Sequence, residues 1–183
     1  RARCARLVSL HSIRIEQRSV TPVSSDRKRL VKIALEEDKA IRRSAEVEHE
    51  RAVAVFDLLD DNVFGLVGTD GGPYCLMIGI RENRLVLDIR DEAETPLKEV
   101  ILPISPLRSL IRDYFRVCEA YYEAIKTATP SRIEAIDMGR RGIHNEGAET
   151  LLRRLAPQIE MDTQTSRRLF TLICVLHVRD WRE

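Results

Sequence analysis

YCLMIGIRENRLVLDIRD, Tyr74 to Asp91, is the stretch on which the fold turns. YCLMIGI and LVLDIRD read as two strands, and RENR between them reads as a tight turn, so the segment predicts a β-hairpin. In the second arm Leu85, Leu87 and Ile89 alternate with Val86, Asp88 and Arg90. That period of two gives one strongly apolar face and one partly charged face. GTDGGP, Gly68 to Pro73, supplies the turn-tolerant residues before the hairpin, and KEVILPI, Lys98 to Ile104, extends it by another strand that Pro103 marks as an edge or an end. LVKIAL, Leu30 to Leu35, buries Val31, Ile33 and Leu35 on one face and reads as the first strand.

Helical patterns flank these strands. Ser44 stands where an N-cap belongs, ahead of a helix with Ala52, Val55, Phe56 and Leu59 on one face, ending near Asn62. Ser105 and Pro106 open the strongest pattern, in which Leu107, Leu110, Ile111, Tyr114, Cys118, Tyr121 and Ile125 form an apolar stripe about five turns long. Thr129 and Pro130 repeat that start signal for Ile133, Ile136 and Met138. Gly139 and Gly142 weaken the segment, which predicts a break around Gly142 to Asn145 and then a helix through Leu151, Leu152 and Leu155. Asp162 caps a last helix whose LFTLICVL run is apolar nearly all round, which places it deep in the core. The order of strand, helix, three strands and then helices predicts an α+β fold. We expect a small antiparallel sheet, a meander of about four strands, with four to five helices over one face.

Composition sets the bounds. A chain of 183 residues with 44% hydrophobic content is long enough to bury one core. Residues 25–183 read as a single α+β domain, and residues 1–24 as a disordered basic tail or an upstream extension. Eight basic and two acidic side chains fall in residues 1–29, a net of +6 that leaves −5 for the remainder of a chain whose formal net charge is +1. A mildly acidic body disfavours nucleic acid as a partner. The run from Leu169 to Val178 is too short to cross a membrane. Cys4, Cys75, Cys118 and Cys174 never approach C-x-x-C spacing, and they read as buried thiols in a cytoplasmic protein.

The densest polar cluster is DMGRRGIHNEG, Asp137 to Gly147. Arg140 and Arg141 can fork onto a phosphate or carboxylate, glycines let a ligand approach the backbone, and His144 and Asn145 add polar contacts. Our leading reading is a non-catalytic binding protein that uses the sheet face or the RRGIHNE loop for an anionic small ligand or another protein. An alternative is a phosphoester hydrolase, RNA included among its substrates, in which Arg140 and Arg141 hold the anion while His144 and Glu146 transfer protons. A third is a homo-oligomeric structural role, with Tyr74, Met77 and Val86 making the second sheet face apolar. The plain structural reading of the cluster is a helix connection in which the arginines pair with Asp137, Glu146 or Glu149.

Other motifs fall short of chemistry. In EVEHE, Glu46 and His49 have the E-x-x-H spacing of carboxylate-bridged metal sites, but such sites need two copies and the chain has one. We therefore expect no metal. GTDGG lacks the G-K-[ST] ending of a phosphate loop, G-x-S-x-G is absent, and no cofactor motif is read. His177, near the end of an apolar helix, reads as a core residue.

Longer strings carry a resemblance. HERAVAVFDLLDDN, GGPYCLMIGIRENRLVLDIRDE, YYEAIKTATPSRIEAIDMGRRGIHNEGAETLLRRL and RRLFTLICVLH together resemble the bacterial uncharacterised protein family 0262, over roughly Leu30 to His177. The resemblance implies a small cytoplasmic bacterial protein and brings no catalytic residues with it, so the site reading rests on the residues themselves.

Overall fold

Alternating apolar residues form the hairpin where they were read, as β3 (Tyr74–Arg81) and β4 (Arg84–Arg90), in the structure of this chain, a computed structural model that describes residues 27–36 and 44–177. Cys4 and the tail expected at residues 1–24 lie outside the described residues. Arg81 and Arg84 close the hairpin, and Glu82 and Asn83 between them both take positive φ, 47° and 63°, which a two-residue turn of this hand requires. β5 (Pro96–Pro103) pairs antiparallel with β4. β1 (Leu30–Leu35) pairs with β3, but parallel to it, which gives a mixed sheet of order β1-β3-β4-β5.

The parallel pair has a physical cause. A parallel partner must be reached by a crossover of a dozen or more residues, usually carrying a helix, and α1 (Ala45–Asp60) lies between β1 and β3. The expected meander therefore holds for β3, β4 and β5, while β1 adds on its outer edge in the other sense. Two short strands that the sequence pattern left unmarked, β2 (Phe64–Leu66) and β6 (Ile159–Met161), form a second, two-stranded antiparallel sheet. Three residues are too few to show a period.

The other helices are α2 (Ser105–Thr127), α3 (Pro130–Leu155) and α4 (Thr163–Leu176). Ser44 and Asp162 cap α1 and α4 as their positions predict, accepting from the amides of Val47 and Thr165. Ile104, not Ser105, is the N-cap of α2, so the proline falls one residue deeper than expected. The expected break at Gly142 to Asn145 is absent, and α3 runs 26 residues without interruption. Its packing against α2 and α4 outweighs the roughly 1 kcal/mol that each interior glycine costs a helix. Gly147 itself explains the sequence there, because a Cβ would stand 2.3 Å from the Phe170 ring.

One hydrophobic cluster joins Leu76 and Ile78 of β3, Leu85, Leu87 and Ile89 of β4, and Val100 of β5 to the helices. α4 lies deepest, with Leu169 to Val175 all buried. Each such fully buried Leu, Ile or Phe contributes about 1.5–3 kcal/mol. The opposite sheet face carries ion pairs, Arg81 with Glu36, Arg90 with Asp88, and Lys32 with Glu94. Of the three residues expected to make the second sheet face apolar, Tyr74 and Val86 are 1% and 5% exposed and Met77 is half-buried.

α1 presents a different face from the expected one. Ala54 and Leu58, four residues apart, enter the core, which turns Ala52 outward and leaves Phe56 70% exposed. AVAVF is apolar on every side, so its own pattern could not choose the face.

Candidate functional site

Because α3 is unbroken, its period sets the site. Asp137, Arg140, Arg141 and His144 recur at spacings of three and four and share one broad face, with Arg141 at its solvent-exposed edge, while Glu146 is turned away from it. The Arg140 side chain is 29% exposed and that of Arg141 68%. Asp137 holds both. Its Oδ1 accepts from Arg140 Nε at 3.0 Å and Nη2 at 2.7 Å, and its Oδ2 lies 2.7 Å from Arg141 Nη2. Hydrogen bonding from Arg140, reinforced by both positive charges, keeps the Asp137 carboxyl below its ordinary range.

The guanidinium of Arg140 also lies over the Tyr121 ring, 5.4 Å from its centroid. Held from two sides, it forms part of the wall of a cleft of about 180 Å³ between α1, α2 and α3, with Glu50, Cys118, Tyr121 and Tyr122 as the other walls. Across the cleft, the Tyr122 hydroxyl donates to Glu50 Oε1 at 3.2 Å. Burial, then the Glu50 charge and this hydrogen bond, push the Tyr122 hydroxyl up to about 12. Burial pushes the Cys118 thiol up to about 11. Both groups are therefore neutral at physiological pH, and Cys118 is not an activated nucleophile. An apolar niche of about 30 Å³ shares the Glu50, Cys118 and Tyr122 walls and is closed by Tyr114, Phe115 and Val175 among others.

His144 lies deeper. Its Nε2 is 2.7 Å from Thr171 Oγ1, and the Thr171 hydroxyl is 3.3 Å from the Arg167 carbonyl. A chain in which Nε2–H donates to the hydroxyl, which donates to the carbonyl, satisfies all three groups. Burial, then the charges of Arg167 and Arg140, depress the imidazole to about 4. It is neutral near pH 7 and cannot act as a cation for an anion. Asn145 Oδ1 accepts from Arg167 Nη1, tying α3 to α4. Glu146 is exposed and two residues from His144, about 200° round the helix, so the two cannot share a proton-transfer site.

Of the five residues singled out in RRGIHNE, only Arg140 lines the cleft; Arg141, His144, Asn145 and Glu146 are not brought together with it there. The segment is a helix and not a loop. Sequence reading missed Glu50, Tyr121 and Tyr122 as cleft residues and placed Tyr121 and Cys118 in a core stripe. Their available signal was the polar tip on each tyrosine of YYEA, which a core stripe has to satisfy. The side chain of Glu46 lies outside the described residues, and His49 is exposed on α1. Among the described residues no helix is long and apolar enough to cross a membrane.

The model of the uncharacterised protein family UPF0262 matches residues 27–179. The chain belongs to this family. The UPF0262 protein of Paramagnetospirillum magneticum is 58% identical over 153 residues, covering 84% of this chain and 98% of its own length. The UPF0262 protein of Rhodospirillum rubrum is 55% identical over 154 residues, 84% of this chain and 95% of that protein. The UPF0262 protein of Brucella anthropi is 56% identical over 156 residues, 84% and 94% of the two chains. No solved structure matches the chain. The match begins at Arg27, so the cleft of this UPF0262 member lies wholly inside the family segment.

Proposed function

We propose that this UPF0262 member is a binding protein that takes a small molecule by an anionic group, with Arg140 as its cationic contact. The observation that carries this reading is the fixed pose of Arg140. Asp137 engages Nε and Nη2, Tyr121 lies beneath the plane, and the guanidinium still lines an open cleft. A guanidinium fixed before the ligand arrives loses little side-chain freedom on binding, and its remaining N–H groups suit a carboxylate or phosphate oxygen. Cys118 and His144 are both held neutral by burial, and His144 does not line the cleft, which favours binding over turnover. The cytoplasm is the setting of this reading, because Cys75, Cys118 and Cys174 are free and buried, a state that a reducing compartment preserves.

The test is a titration of the full chain with acetate, propionate, lactate and inorganic phosphate, followed by the Arg140 Nε–Hε resonance. Binding should move that resonance in the wild type and, followed in every variant by the backbone amide of Tyr122 in the cleft wall, should disappear in Arg140→Gln and survive in Arg141→Gln. If no anion moves it, or if Arg141→Gln abolishes binding as fully as Arg140→Gln, the reading is wrong.

A further inference from the structure

Two opposite charges line one cleft and do not neutralise each other. Arg140 is anchored from its own helix by Asp137, and Glu50 on α1 accepts from Tyr122 on α2. Both charges act on the same neighbours, Cys118 and Tyr122, which places them about one small space. Among the described residues Arg140 is ion-paired with Asp137 and not with Glu50. The half-buried Glu50 carboxylate takes one neutral side-chain donor, Tyr122, and keeps acceptor capacity at the cleft wall that a ligand can use.

We infer that the ligand is a small zwitterion of the α-amino acid class, its carboxylate on Arg140 and its ammonium on Glu50. This rests on the binding reading proposed above and narrows it. The charge balance of the cleft supports it, since Tyr122 and Cys118 stay neutral and the two cleft-lining charges are one of each sign. A phosphate or dicarboxylate would satisfy Arg140 but bring a second negative charge against Glu50, and a like-charge contact disfavours that class. An amino acid makes a charge-assisted hydrogen bond at each end. Size agrees as well. The cleft holds about 180 Å³, and the adjoining apolar niche of about 30 Å³ has room for a methyl-sized group and not for an aromatic ring. The class is therefore an amino acid with a small side chain, of which alanine is the simplest with an apolar group to place in the niche.

The experiment uses the full chain and matched pairs of probes that differ only in the amino group: L-alanine against propionate, and L-serine against 3-hydroxypropionate. Affinities come from titration followed by NMR. The amino acid of each pair should bind at least about tenfold more tightly, as expected for one added charge-assisted contact. Glu50→Gln, which keeps the acceptor for Tyr122, should remove that preference while leaving carboxylate binding in place. Arg140→Gln should remove binding of every probe. Circular dichroism of each variant establishes that the fold is kept, and Glu50→Ala, which also removes the charge, should abolish the preference if Glu50→Gln unfolds. Equal binding within each pair overturns the zwitterion and leaves the anion reading standing. Binding of no probe at all overturns both.

Discussion

His144 stacks on Tyr114, ring centroids 5.6 Å apart and planes 26° from parallel, and neither residue lines the cleft. Burial in these surroundings, together with the charges of Arg167 and Arg140, holds the imidazole neutral. Charging the imidazole would put a cation among Tyr114, Phe170 and Thr171, with Arg140 and Arg167 already nearby, and its affinity for a proton falls to about 4. An unfolded histidine titrates near 6.5, so the unfolded chain takes up the proton first. The stability due to neutral His144 is complete above pH 6.5 and is lost as pH falls towards 4. The size of the loss is about 3 kcal/mol at most for a shift of this extent. Urea unfolding of the wild type and of His144→Gln from pH 7.5 to 4 should show the wild type losing stability relative to the variant across that window. A difference between the two that stays constant with pH would show that the imidazole is not held neutral by its surroundings.

Two glycines of α3 should respond oppositely to the same substitution. At Gly147 a Cβ would lie 2.3–2.5 Å from three atoms of the Phe170 ring, and Phe170 is fully buried, so helix α3 or α4 must move. Overpacking of this kind costs about 1–3 kcal/mol. At Gly142 a Cβ meets nothing within 4 Å, and alanine in an open helix interior stabilises by about 0.5–1 kcal/mol. Thermal unfolding of Gly147→Ala and Gly142→Ala should therefore give shifts of opposite sign. Shifts of the same sign would mean that α3 does not run straight through both positions.

The same pair shows what sequence can and cannot reveal. Strands half buried in a sheet show their period directly, as Leu85, Leu87 and Ile89 do against Asp88 and Arg90, and Ser44 and Asp162 marked helix starts because a capping side chain acts on amides two or three residues away. Gly139 and Gly142 misled for the converse reason. A glycine that breaks a helix and a glycine that lets another helix approach look alike until Phe170, 23 residues after Gly147, is in place. The parallel sense of β1 and the outward turn of Phe56 depend equally on distant partners. At the site, local charge density drew attention to Arg140, but Glu50 stands 90 residues away on another helix, and no local spacing links them.

Asn62 gives the third expected outcome and a reason for the way β1 and α1 meet. Its Oδ1 accepts from the Leu30 amide at 2.6 Å, while its Nδ2 donates to the carbonyls of Leu30 at 3.1 Å and Leu58 at 2.7 Å. One side-chain amide thus completes the backbone of the first residue of β1, which has 0% exposure, and a carbonyl in the last turn of α1. Asn62→Ala leaves one donor and two acceptors to find other partners, at a cost of about 1–3 kcal/mol. Asn62→Asp is the sharper substitution. It keeps the shape and the acceptor for Leu30, but places a carboxylate oxygen against two carbonyl oxygens, so it should destabilise at least as much as alanine at pH 7 and recover as acid protonates the new carboxyl. Because His144 weakens the wild type in the same direction, the recovery is read as the difference between Asn62→Asp and wild type at each pH. If Asn62→Asp is as stable as the wild type at pH 7, the two carbonyls do not depend on Nδ2, and β1 is held at this end by its pairing with β3 alone.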